Sequence, residues 1–318
     1  MLAVKIVAEI INYRRYHHSG IVSAKPAVTI GAVVVLSVAL ALGVFFWPGS
    51  PFATQSSSEL SPARAALKAG DTAKAVTELE AFIARQPTSV EAHTLLAQAY
   101  QKAGRTEDAS KEYQAAILLA PDEVAQYILD PNDIEAHFLL GNAFVNAGRP
   151  DEAIARYEAV LRLDPKHISA NTNLGAALYQ KGELEAAVRQ LQAALALAPN
   201  DPETRYLLGA AYIQQSQLAK AESEFSKALT ARPDFAEAYV GLGNVQLLKG
   251  ELEPAIGSFK KAVAINPNLP EAYLPLGKAL AVQGNTVGAR DALNAFLKLN
   301  PPDERRQEAE QVLSQLGQ

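Results

Sequence analysis

Residues Leu139–Pro165 read LLGNAFVNAGRPDEAIARYEAVLRLDP. Within this stretch stand a small residue, Gly141, and a glycine seven places later, Gly148. Ala153 follows that glycine by five places, Tyr157 by nine and Pro165 by seventeen. The same set recurs along the chain. Prolines fall at 87, 121, 165, 199, 233, 267 and 301, in steps of 34 residues with one exception of 44. The residues seventeen before them are Gly70, Gly104, Gly148, Gly182, Ser216, Gly250 and Gly284. Five places after each comes an alanine: Ala75, Ala109, Ala153, Ala187, Ala221, Ala255 and Ala289. Seven before each is a small residue, and nine after each a large apolar or aromatic one, from Leu79 to Leu293.

Each regularity has a physical meaning. The turn glycine supplies a left-handed backbone between two helices. The paired small positions let two helices of a hairpin approach closely. The large residue fills the space between one hairpin and the next, and the proline ends the second helix. A lone hairpin leaves an apolar face bare, so hairpins of this kind must stack.

Together with LGAALYQKGELEAAVRQLQAALALAP (Leu174–Pro199), the opening stretch resembles the tetratricopeptide repeat family. The resemblance covers about residues 56–301 as seven repeats. It implies an all-α, right-handed superhelical solenoid of helix-turn-helix units. Residues 302–318 read as a closing helix, with Ala309, Val312, Leu313 and Leu316 on one apolar face. The 44-residue step places ten extra residues at about 122–131, DEVAQYILDP, between the second and third repeats. They are either a tolerated surface insertion or an element that docks a partner or bends the stack.

The N-terminal part is different. No charged residue occurs between Lys25 and Glu59. Inside that gap Ala27–Trp47 is a 21-residue apolar run, long enough at 1.5 Å per residue for about one hydrocarbon core of roughly 30 Å. The expectation is a transmembrane helix over 26–48, followed by a linker over 49–55. A cleaved signal peptide is the alternative. Its apolar core is shorter, and small-x-small triplets such as Ala39-Leu40-Ala41 lie inside this run rather than after it. Lys5, Arg14, Arg15 and Lys25 face only Glu9 in residues 1–25. The positive-inside rule then places that flank in the cytoplasm and the repeats across an inner membrane, in a periplasm. Residues 2–16 also have helical spacing. Lys5, Glu9, Asn12 and Tyr16 share one side opposite Ile6, Val7, Ile10 and Ile11, as for a segment on a membrane surface or a partner's helices.

Composition narrows the chemistry. The 318 residues carry 29 basic and 34 acidic side chains, a net charge of −5, which argues against a broad nucleic-acid surface. With no Cys, there is no disulfide, cysteine-held metal or thiol nucleophile. No HExxH, Walker A or GxSxG motif occurs, and acidic residues recur with the repeat as caps and solvated faces do. His93 and His137 occupy equivalent repeat positions, where packing is the expected role. No catalytic residue, cofactor or metal is expected.

In the family resembled, first helices line a concave groove that holds peptides or partner helices. Carried over by register, that lining includes Phe138, Leu139, Asn142, Val145 and Asn146, then Thr172, Asn173 and Tyr179. Tyr206, Leu207 and Ile213 follow, then Val240, Asn244 and Leu247. Asn amides offer both donor and acceptor to a peptide backbone. Asn142 and Asn173 resemble the two amide positions of chaperone-binding members, whereas the basic positions hold Phe138, Glu203 and Leu207. The function expected is a membrane-anchored scaffold of the cell envelope, an assembly factor or accessory subunit of a complex. The alternatives are a pilus or polysaccharide secretion component and a targeting receptor with cytosolic repeats.

Overall fold

A computed structural model describes residues 59–317, apart from 121 and 129. The expected membrane helix at Ala27–Trp47 and the basic segment 1–25 lie outside these residues. Among the described residues no helix is long and apolar enough to cross a membrane. They contain fifteen α-helices and no strand, and they divide into two units, 59–163 and 164–317.

The first unit is a run of helix hairpins: α1 (Ser61–Ala69) with α2 (Thr72–Arg85), α3 (Val90–Lys102) with α4 (Thr106–Leu119), and α5 (Ile134–Asn146) with α6 (Pro150–Leu163). A 3-10 turn, Val124–Tyr127, interrupts the run before α5. The second unit continues the same motif with α7 (Ile168–Lys181) and α8 (Leu184–Leu197), then α9 (Pro202–Gln214) and α10 (Leu218–Ala231). Next come α11 (Ala236–Leu248) with α12 (Leu252–Ile265), and α13 (Pro270–Gln283) with α14 (Thr286–Lys298). A single helix, α15 (Asp303–Gln315), ends the unit.

Local sequence explains the hairpins. All six turn glycines have positive φ, between 71° and 85°, and Ser216 in the seventh turn follows at 62°. The seven alanines after the turns are 0% exposed. The small residue on each first helix is needed because the large residue of the second lies over it. A Cβ added at Gly141 would meet Tyr157 Cε1 at 2.7 Å, and one at Gly175 would meet Leu191 Cγ at 2.6 Å. The large residue also reaches the following hairpin where a second glycine allows it: Phe225 of α10 lies against Gly209 of α9 and Gly241 of α11. The final helix buries Ala309 and Val312 against Leu293 and Phe296, with Leu313 and Leu316 packed at the margin.

Candidate functional site

The six residues expected to bind a partner fall on four first helices. Phe138 and Asn142 lie on α5 of the first unit. Asn173 and Tyr179 on α7, Tyr206 on α9 and Asn244 on α11 belong to the second. All six are half-buried.

In the first unit both residues serve packing as well. The Tyr157 hydroxyl donates to Asn142 Oδ1 at 2.7 Å, and the Phe138 ring lies 6.0 Å from the Tyr157 ring. In the second, Tyr206 sits 5.8 Å from Phe225 and 5.3 Å from Phe235, centre to centre, so one aromatic cluster spans three helical segments. Burial raises the Tyr179 phenol above its ordinary pKa, while a hydrogen bond with Gln214 pulls the other way. The Thr172 and Thr204 hydroxyls share a hydrogen bond of 2.8 Å between α7 and α9. The first-helix face of this unit is therefore a wall of amides, hydroxyls and aromatic edges held in place by its own core.

One level of the first unit is different, and sequence register alone missed it. Gln98 on α3 is the equivalent of Asn142 on α5, yet it is only 3% exposed. Its Nε2 donates to the Tyr127 carbonyl at 3.0 Å and to the Thr94 carbonyl at 3.2 Å. The insertion thus folds back over α3. Asp122 pairs with Arg149 at 3.0 Å just ahead of α6, and Val124 is fully buried. The 44-residue step and the amide at a groove register were the available signals. The contact between them needed the folded chain.

The fourth residue of five first helices makes a second recurrent contact. His93, His137, Asn171, Arg205 and Tyr273 each donate to the carbonyl of the proline six residues earlier. For α5 that proline is Pro131, the last residue of the insertion. Both histidines are 8% exposed, so each fastens a loop to a helix from inside the fold. Among the described residues no cluster of His, Asp and Glu is arranged to hold a metal ion.

Stacked helix hairpins with a glycine turn and a small-on-large core define a helical-repeat interaction protein. Family models described as tetratricopeptide repeat match residues 66–129, 138–202 and 206–270. The chain is a tetratricopeptide repeat protein, a class that binds peptide or protein partners. Among solved structures, the APC/C Cut9–Hcn1 assembly has a similar chain at 16% identity and TM-score 0.55, covering 89% of this chain and 52% of that one. Pseudomonas aeruginosa pilF is similar at 20% identity and TM-score 0.52, covering 71% and 98%. MamA aligns at 26% identity and TM-score 0.46 over 53% of this chain and 97% of its own. No curated protein matches by sequence. The likeness to Cut9 and pilF is one of fold.

Proposed function

We propose that the chain is a membrane-anchored scaffold that holds cell-envelope proteins together, as an assembly factor or an accessory subunit of a membrane complex. One helix over about Ala27–Trp47 fixes it in the inner membrane. Residues 1–25 stay on the cytoplasmic side, residues 49–55 link the anchor to the repeats, and the repeats stand in the periplasm. The observation that carries this reading is the charge pattern. Four basic residues precede an uncharged run from Pro26 to Ser58, and no basic residue follows until Arg64. Support for the scaffold role comes from the half-buried amides and aromatics that recur in register on α5, α7, α9 and α11. The reading assigns no catalytic step, cofactor or metal.

Protease added to spheroplasts tests it. Digestion of the repeats, with the chain still in the membrane fraction after an alkaline carbonate wash, is the expected result. Repeats protected in spheroplasts yet cut in inverted vesicles would place them in the cytosol. Release of the chain by carbonate would remove the anchor.

A further inference from the structure

In two hairpins, the residue nineteen places after the loop-fastening side chain is a glutamate on the second helix that pairs with it; the same position holds Gln190, Ser258 and Ala292 in three others. In α3 and α4 the glutamate is Glu112, whose Oε2 lies 2.6 Å from His93 Nδ1. In α9 and α10 it is Glu224, 2.6 Å from Arg205 Nη1. In α5 and α6 the same position holds Arg156, which lines the same pocket as His137. A cation stands where those two hairpins have a carboxylate. His137 Nδ1 and Arg156 Nε are both buried without a hydrogen-bond partner. The first hairpin has acids at both positions, Glu59 and Glu78. There each acid has a cation of its own chain, Arg85 at 3.8 Å and Lys74 at 3.9 Å. Neither Arg156 nor Arg162 has an ion pair among the described residues.

These groups line a cavity of about 480 Å³ on the side of α6, with Arg162 at its edge. Ile128, Pro131 and Asn132 form one wall, and Ile128 is contributed by the insertion. Glu158, the one carboxylate in the lining, is exposed and leaves both arginines unpaired. Burial, and then the charge of Arg162, hold Arg156 below its ordinary pKa. A part-buried guanidinium in that state gains from any anion that enters, because the anion replaces lost hydration with charge-assisted hydrogen bonds. The volume is within the range of about 300–1,000 Å³ usual for ligand sites, more than one free carboxylate needs.

We propose that this cavity takes a carboxylate presented by an acidic segment of a partner protein, which fills the place held by Glu112 and Glu224 in two other hairpins. A planar carboxylate fits because it is what the same fold uses at the two equivalent positions, and because it matches the guanidinium fork. The site is formed by the end of the insertion, Asn132, His137 and α6, not by Phe138 and Asn142. It therefore stands independently of what the first-helix faces bind.

Calorimetric titration of the full chain in mild detergent, at fixed ionic strength, with tetraglutamate and with tetraglutamine tests the assignment. Tetraglutamate should bind and tetraglutamine should not. Arg156→Glu should weaken binding by at least about tenfold, the loss of one charge-assisted contact. The same variant rebuilds the internal pair with His137, so without peptide it should melt above the parent. Arg162→Gln should weaken binding without moving the melting temperature. If Arg156→Glu melts lower instead, the Arg162→Gln arm decides, and undiminished affinity there overturns the proposal. Equal binding of the two peptides, or sulfate binding in preference to tetraglutamate, overturns it as well.

Discussion

Tyr157 donates its hydroxyl hydrogen to Asn142 Oδ1 across 2.7 Å, joining the second helix of a hairpin to the first. Tyr157 is 1% exposed, so Asn142→Ala removes an acceptor from a buried hydroxyl. That should cost about 1–3 kcal/mol of stability. Tyr157→Phe removes the donor and the need for it together and should cost less. Chemical denaturation of the two variants checks the order. An Asn142→Ala variant as stable as the parent would show that the contact adds nothing.

Ala187→Leu should destabilise the fourth hairpin. Ala187 is 0% exposed, and its carbonyl lies only 3.3 Å from where a Cβ on Gly175 would stand. Overpacking at such a site costs about 1–3 kcal/mol. An unchanged melting curve would contradict the close approach of α7 and α8.

Ser216→Gly should stabilise the chain. Ser216 holds φ at 62° in a turn where the six counterparts are glycine. A left-handed backbone costs a non-glycine residue roughly 1–2 kcal/mol, and the greater freedom of glycine in the unfolded chain offsets part of the gain. The expected net effect is a rise of about 0.5–1 kcal/mol in unfolding free energy, measured by denaturant midpoint.

Stability should fall as pH rises past neutrality, in a His93-dependent way. Burial opposes the charged ring, but the Glu112 carboxylate at 2.6 Å and the Pro87 carbonyl outweigh it, and the pKa is raised above the ordinary 6.5. A raised pKa means that protonation favours the folded chain. The contribution is complete below the ordinary value and disappears as pH climbs through the raised one. His93→Gln should flatten the melting-temperature profile between about pH 6 and 8. A profile identical to the parent's would remove this ion pair from the account.

Partner capture should depend on the first-helix faces more than on the insertion's backbone. Asn173→Ala combined with Tyr206→Ala should weaken binding of the protein that co-purifies in mild detergent by roughly five- to 150-fold, the range for losing a buried hydrogen-bonding partner. Deleting residues 122–131 should leave that contact. Loss of capture with the deletion alone, and none with the double alanine, would move the main interface to the insertion.

The sequence alone determined the hairpins. A glycine turn, an alanine five places on and a small-on-large pair at fixed spacing are local constraints, satisfied within one repeat and its neighbour. A period of 34 residues therefore carries the register of every hairpin. The closing helix was legible for the same reason, since Ala309 and Val312 form one stripe. Only the tertiary structure decided what the first-helix side chains do. That Gln98 is covered by the Tyr127 carbonyl, while its equivalent Asn142 holds a phenol, depends on where ten extra residues fold back. That Arg156 stands where three other hairpins place a glutamate matters only once the helices bring it to the same cavity as His137. Backbone turns are written in adjacent residues, but charge pairing and burial arise between residues that only packing brings together.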